Sequence, residues 1–504
     1  MTPSNGNDNN DDEHPEGRSA SSSLARLQLS KTLIDPTNDF STRYDAVRCY
    51  LDVLAKPVGS LGSLEDHAAR MSALRRSLAP RVDVAICLIF AGDHGVAGDA
   101  SEGGANCSSY PQSVTGMVLR GIDEGVAGCS VLARANGAML RVVDVGVVAA
   151  AAAAADPPPT ATNAREEVEG GDGRGRRRRQ RLRPDHGPVV RRPSRGEAGV
   201  DGGTKNFCVD DAMTESEVER CVSIGKEETG KFIDEANADI VVFGEVGIGN
   251  TTSSSALIVA LCGTTMDDVR SLCGIGASTT RDGIDSGGKV VSRKVAIIEE
   301  AMRYRRDEST LKGEPLMALS AVGGAEIAAL VGGMIEASDR DVPVLVDGFI
   351  VTTAAMIACM IDPSVTRVLL FATKSTEVGQ SVALDVINGI ATSNGIPPPV
   401  APALDMRLRM GEATGALLAL PLVRSACAIV AELATLDEVL GLASNLPSAK
   451  NMDAIQATTV AGTNPTMENA ADVATGSAGL GPVWSSGVVV AMGSHLASAG
   501  THAA

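Results

Sequence analysis

The fold class predicted by this 504-residue sequence is α/β, a parallel sheet with helices on both faces. Apolar, β-branched runs recur along the chain, each ending in a cluster of Gly or Asp and followed by a helical stretch, the sequence form of a βαβ unit. The runs are continuous rather than alternating in polarity, so both faces of the sheet must be covered. Ligands of such sheets bind beyond the carboxyl ends of the strands, where the Gly and Asp clusters fall.

Residues 1–30 are expected to form a disordered leader, because Met1 to about Ala20 is too polar and Asp/Asn-rich to bury enough surface. The 31–80 segment is expected to be helical, with helical apolar spacing from Asp45 to about Leu78. Two helices there flank the turn Lys56-Pro57-Val58-Gly59-Ser60-Leu61-Gly62, where Pro and Gly interrupt the period. The α/β region is expected over 81–400, with strands at Val82 to Phe90, Ala138 to Val148, Ala238 to Phe243, Val342 to Val346 and Val368 to Phe371. Within it, 149–200 carries an Ala run, three prolines and the Arg-rich run Arg174 to Arg183, and is expected to be an exposed, unstructured insert. Residues 401–441 hold a Gly-rich turn and further helices, and 442–504 form a low-complexity tail rich in Ala, Gly, Ser and Thr.

Composition narrows the function. The net charge of −18 sets an acidic field against nucleic acid and anionic membranes. Aromatics are only 2% against 54 glycines, which favours an aliphatic interior and tight turns over aromatic stacking platforms. The ten cysteines form no C-x-x-C pair and read as reduced core thiols of an intracellular, cytoplasmic protein, although the basic, Ser-rich stretch from Arg18 to Lys31 leaves an organelle address open. The six histidines are scattered, so no metal site is expected. No strongly apolar stretch of membrane-spanning length is read, and the leader is acidic, so neither a span nor a secretory signal is expected.

The candidate chemistry sits on Gly-rich turns. Glu412, in Arg409-Met410-Gly411-Glu412-Ala413-Thr414-Gly415-Ala416, is a carboxylate among small residues and can approach a substrate closely. It is either a catalytic base or a helix-start carboxylate stabilised by the dipole. Phe243-Gly244-Glu245-Val246 ends a strand, and Gly247-Ile248-Gly249-Asn250-Thr251-Thr252 opens a helix. Glycines there let main-chain N–H groups approach an anion at a helix N-terminus, the design of a phosphate cradle. The run is neither a dinucleotide fingerprint nor a P-loop, and a plain turn with a Thr/Ser cap is the competing reading. Asp93 and His94 in Gly92-Asp93-His94-Gly95 either work as acid and base or cap and pack. Gln112 suits a heterocycle edge or a helix cap, and Asp347 a sugar hydroxyl or its own turn. Glu326, a charge in an apolar helical stretch, faces a partner, the site or solvent.

Six runs, Lys56 to Glu65, Gly92 to Gly95, Tyr110 to Gln112, Gly244 to Thr252, Leu345 to Phe349 and Arg409 to Ala416, together resemble the nicotinate-nucleotide:dimethylbenzimidazole phosphoribosyltransferase family of cobalamin biosynthesis. The resemblance runs in the same order from about Leu33 to about Leu440, leaving out the insert. It implies transfer of phosphoribose from nicotinate mononucleotide to 5,6-dimethylbenzimidazole with inversion, giving α-ribazole 5′-phosphate and nicotinate. It also implies a Rossmann-like sheet, a smaller helical domain from N- and C-terminal segments, a homodimer with sites near its interface, and no metal or cofactor. By matching position, Glu412 is the general base and Glu245 a second carboxylate near ribose and base. The amides of Gly247 to Asn250, with Thr251 and Thr252, hold phosphate, and Lys294 neutralises it. Gln112 and Met410 line the azole pocket, while Asp93, His94 and Asp347 stand at the mouth of the cleft.

Departures from the family pattern are Ala413 where Gly is usual, a longer loop between Val96 and Tyr110, and a run Thr373 to Glu377 without the histidines of many relatives. A β-carbon at 413 strains the turn if φ is positive there. Two rival readings are a non-catalytic azole or nucleotide sensor, betrayed by ligand stabilisation without product, and a dinucleotide-dependent oxidoreductase, betrayed by NAD binding.

Overall fold

The first strand, β1 (Ala85–Gly92), is buried along its whole length and lies in the middle of a six-stranded sheet. The computed structural model describes residues 16–100, 103–148, 189–191, 199–263, 266–273, 286–304, 311–399 and 401–444. Before β1 come helices α1 (Glu16–Ile34), α2 (Phe40–Asp52) and α3 (Ser63–Arg75). After it come α4 (Val114–Asp123), α5 (Gly128–Ala135), β2 (Ala138–Gly146), β3 (Val189–Arg191), α6 (Glu215–Ala236) and β4 (Ile240–Val246). Then follow α7 (Asn250–Cys262), α8 (Met266–Leu272), α9 (Ser286–Tyr304), α10 (Pro315–Val322) and α11 (Ala325–Asp339). The chain continues through β5 (Val344–Val346), α12 (Phe349–Ile361), β6 (Leu369–Phe371), α13 (Gly379–Ser393), α14 (Thr414–Glu432) and α15 (Leu436–Ser444).

Every strand pairing is parallel and the order is β3-β2-β1-β4-β5-β6. This is the doubly wound, Rossmann-like arrangement, with its topological switch between β1 and β4. Alternation along the strands divides the core. Ile86, Leu88 and Phe90 of β1 join Val241 and Phe243 of β4 beneath α6, α7, α11 and α12. Ala85, Cys87, Ile89 and Ala91 join Ile240 and Val242 on the other face, beneath α4, α5 and α14. Both sides of β1 and β4 are therefore apolar, which is why their runs carry no polar alternation.

The helices from the two ends of the chain have a hydrophobic cluster of their own. Leu29 and Leu33 of α1, Val47 and Leu51 of α2 and Ala68 of α3 meet Ala426 and Val430 of α14. These helices fall within the same compact unit as the sheet. Arg70 pins them down. Its guanidinium is fully buried and donates to the carbonyls of Thr366, Arg367, Pro397 and Pro398 at 2.7–2.9 Å, with its face over the Phe40 ring.

Several expectations are corrected. Residues 16–30, expected to be disordered, belong to α1, whose Leu29 and Leu33 bury against the end helices; 1–15 lie outside the described residues. The expected unstructured insert contributes β3, because β2 leaves an open edge with which Val189, Val190 and Arg191 pair in register. The rest of 149–188 and 192–198 lies outside the described residues, as does 445–504. A stretch of membrane-spanning length and hydropathy does exist: Thr414–Glu432 has mean hydropathy 1.8. It is α14, which packs Leu417, Leu420 and Val423 against the sheet, while its Arg424 donates to the carbonyls of Val82 and Asn136. A buried core helix passes the same test as a span. The first strand starts at Ala85 rather than Val82 because the Asp239 carboxylate takes the N–H groups of Asp83 and Val84.

Candidate active site

The switch point brings the loops after β1, β4, β5 and β6 to one edge of the sheet, where α9 and the 409–412 turn close a cleft of about 300 Å³. That is near the lower end, about 300–1,000 Å³, of small-molecule sites. Of the residues expected there, Glu245, Gly247 to Thr252, Lys294, Asp347, Met410 and Glu412 line this cleft. Asp93 and Gln112 line an adjoining cavity that shares Ser108 and Tyr110 with it. His94 lines neither and is wholly buried.

The loop after β4 has the features of an anion cradle. Gly249 sits at φ 108°, a left-handed conformation that favours glycine, and it caps α7 without a side-chain bond. Asn250 N–H donates back to the Gly247 carbonyl at 3.2 Å and Thr252 N–H to that of Gly249 at 2.9 Å, which sets the first turn of α7. The start of that helix thus opens on the cleft with its partial positive charge. Lys294 reaches in from α9 and donates to the Thr251 hydroxyl at 2.9 Å. Burial lowers the Lys294 pKa, and the Glu377 carboxylate works against that shift.

Opposite this loop stand the carboxyl groups. Glu412 and Ala413 both adopt left-handed backbone, φ 59° and 58°, so Ala413 meets the strain its β-carbon implies. Glu412 N–H donates to the Glu245 carbonyl at 3.2 Å, tying the turn to the end of β4. Glycine is required at the crossing: a β-carbon on Gly411 would lie 2.2 Å from Glu245 Oε1, and one on Gly244 2.5 Å from the Ala413 nitrogen. The Glu412 carboxyl leans on the start of α5. Burial raises its pKa, while bonds from the backbone and thiol of Cys129 pull it back.

Glu245 is more deeply placed. Burial, followed by repulsion from Asp347, Glu326 and Glu412, pushes its pKa well above the carboxylate range, and its side chain bonds to that of Asn250. Asp347, raised to about 7 by burial, accepts the Ala416 N–H at 2.9 Å and so caps α14. Two nearby carboxyls in different surroundings can divide the work, the more deeply buried Glu245 bonding the substrate and Glu412 acting as a base.

Asp93 and His94 act behind the cleft. Asp93, raised to about 6 by burial, accepts the Val148 N–H at 2.8 Å, and its main chain bonds to Gly146 and Thr204, which holds the ends of β1 and β2 together. His94 Nε2 is 2.6 Å from Glu326 Oε1, and its carbonyl accepts from Gln112 Nε2 at 3.1 Å. Residues that sequence reasoning left without a role also belong here. Thr115 accepts the Ile248 N–H at 3.2 Å, and Glu377 stands by Lys294. Each meets a partner distant in sequence, so no local pattern marks it. Glu326, which the sequence marks as a charge in an apolar stretch, faces inward rather than solvent. All ten cysteines are free thiols, and among the described residues no cluster of His, Cys, Asp and Glu is placed to hold a metal.

Comparison with known proteins agrees with this arrangement. A family model described as phosphoribosyltransferase matches residues 39–439. The chain is 36% identical over 386 residues to the nicotinate-nucleotide–dimethylbenzimidazole phosphoribosyltransferase of Bradyrhizobium sp. (strain ORS 278), covering 76% of this chain and 90% of that protein. It is 33% identical to the Geobacter sp. (strain M21) protein of the same name, covering 77% and 91%. The crystal structure of the Thermus thermophilus protein of that name superposes with a TM-score of 0.58 at 28% identity, covering 79% of this chain and 97% of the other. With a family model matching most of its length, a relative 36% identical over most of both chains and a solved structure of like fold, this chain belongs to the nicotinate-nucleotide–dimethylbenzimidazole phosphoribosyltransferase family.

Proposed function

We propose that this protein transfers the 5-phosphoribosyl group from nicotinate mononucleotide to 5,6-dimethylbenzimidazole, yielding α-ribazole 5′-phosphate and nicotinate. The observation that carries the reading is a single cleft lined on one side by Gly247 to Thr252 and Lys294 and on the other by Glu412. The phosphate rests on the start of α7, with Thr251 and the Lys294 ammonium beside it. Glu412 takes the N–H proton of the azole while the other ring nitrogen attacks the anomeric carbon. The glycosidic bond breaks as the new one forms, its electron pair returns to the pyridine nitrogen of nicotinate, and the configuration inverts. Glu245, whose burial favours its neutral form, stands on the ribose side of the reacting centre. Met410 and Gln112 bound the azole, Met410 from the cleft wall and Gln112 from the adjoining cavity.

The same reading has the enzyme act as a homodimer inside the cell, with reduced thiols and small molecules as its partners. A sensor with the same pockets would bind both ligands without turnover, but a base held opposite the anion cradle favours chemistry. The test supplies both substrates and follows the products by mass and by proton NMR of the anomeric position. Equimolar nicotinate and an α-configured ribazole phosphate are expected. Nicotinate release that ignores the azole would overturn the reading.

A further inference from the structure

Directly behind the phosphate cradle lies a polar pair that the transfer chemistry does not use. His94 and Glu326 are both 0% exposed, and their Nε2 and Oε1 atoms are 2.6 Å apart. Neither side chain lines the cleft. The backbone around them is packed with no slack. A β-carbon on Gly324 would lie 2.4 Å from His94 Cε1, and one on Gly92 2.9 Å from Glu326 Oε2. On the cradle itself, a β-carbon at Gly249 would lie 3.0 Å from His94 Cβ, and one at Gly247 3.4 Å from His94 Nε2. The imidazole and carboxyl thus form the floor on which Gly247 and Gly249 rest, and a close-packed floor transmits its position to what lies above it. The same histidine reaches the acceptor side, since its carbonyl takes the Gln112 amide at 3.1 Å.

We infer that the buried His94–Glu326 pair positions the phosphate cradle, so that it determines affinity for the phosphate of the donor without touching substrate. Glu326 acts through His94, and His94 acts through Gly247 and Gly249. This rests on the proposed function, in which the cradle binds the phosphate of nicotinate mononucleotide. The hydrogen-bond partners of metal ligands change affinity or activity about 10–100-fold when lost, and a cradle held from behind is expected to respond on the same scale.

The experiment compares nicotinate mononucleotide with nicotinate riboside, the same donor without its phosphate, at saturating dimethylbenzimidazole. Glu326→Leu removes the partner of His94 Nε2, and Glu326→Gln keeps a polar side chain of the same length in its place. Wild type is expected to prefer the mononucleotide. Glu326→Leu is expected to raise KM for the mononucleotide at least about 10-fold, with a much smaller change in kcat and in kcat/KM for the riboside, and Glu326→Gln is expected to restore most of the loss. Equal losses on both donors, or Leu and Gln variants that behave alike, would overturn the positioning role. A wild type indifferent to the phosphate would instead sink the cradle reading beneath it. Should Glu326→Leu fail to fold, His94→Leu/Glu326→Leu leaves no side-chain polar atom unpaired at the site and reads the same donor selectivity.

Discussion

Glu412 donates its main-chain N–H to the carbonyl of Glu245 at 3.2 Å, so the two acids that line the cleft are joined through the backbone and not only through the cleft. Their side chains nonetheless differ in environment. Glu245 is 4% exposed and pushed well above the carboxylate range, while Glu412 is half-buried and pulled back by the start of α5. The bond makes the position of the Glu412 turn depend on the end of β4, the strand that also leads into the Gly247–Thr252 loop.

Ala413 occupies a left-handed conformation at φ 58° and ψ 19°. An L-residue there is disfavoured by about 1–2 kcal/mol, of which glycine gives back part as unfolded-state entropy. Ala413→Gly is expected to stabilise the protein by up to about 1 kcal/mol and raise its Tm by about one degree, read by calorimetry. A lower Tm would mean that the methyl contributes more by packing than it costs in the backbone.

The acid limb of the kcat/KM profile should report Glu412. Burial raises its pKa, so the ionised base is lost at a higher pH than for an ordinary glutamate, and the rate falls as pH falls through its pKa. Glu412→Asp should shift this limb; a limb unmoved by that change would belong to another group.

Asp347 gives a stability prediction of opposite direction. Its pKa of about 7, against an ordinary 3.8, means the native state keeps a proton that the unfolded chain has lost. The stability this contributes is complete below the unfolded value and is lost as pH rises towards 7. Asp347→Asn keeps an oxygen for the Ala416 N–H, so its Tm relative to wild type should improve between pH 5 and pH 8. A constant difference across that range would show that Asp347 does not titrate there.

The strands were readable because continuous apolar runs can only be buried on both faces, and the site was readable where glycines mark close approach, as at Gly411 and Gly249. What stayed hidden depends on distant partners. Val189 to Arg191 become a strand through the open edge of β2, α1 is disguised by its polar composition, and Pro421 and Arg424 interrupt the apolar run of α14. His94 and Glu326 carry no local signal of their pairing. Only the fold brings the ends of β1 and α11 together.

Arg70 is the test of how the end helices are held. Arg70→Ala removes a buried cation and leaves the carbonyls of Thr366, Arg367, Pro397 and Pro398 without their donor. Each unsatisfied group costs about 1–3 kcal/mol, so a loss of at least about 3 kcal/mol is expected by urea denaturation. Arg70→Lys should recover little, because an ammonium lacks the planar fork that spans four acceptors. Full recovery by lysine would refute the four-carbonyl account.

The central claim is that the carboxylate at 412 takes the azole proton while the cradle holds the donor. It is tested most directly by nicotinate release from the mononucleotide, with and without dimethylbenzimidazole, in wild type and Glu412→Gln. The account predicts that azole-dependent release falls by about 10²–10⁴-fold in the variant while binding of the mononucleotide is kept. Equal azole-dependent rates for the two proteins would contradict it.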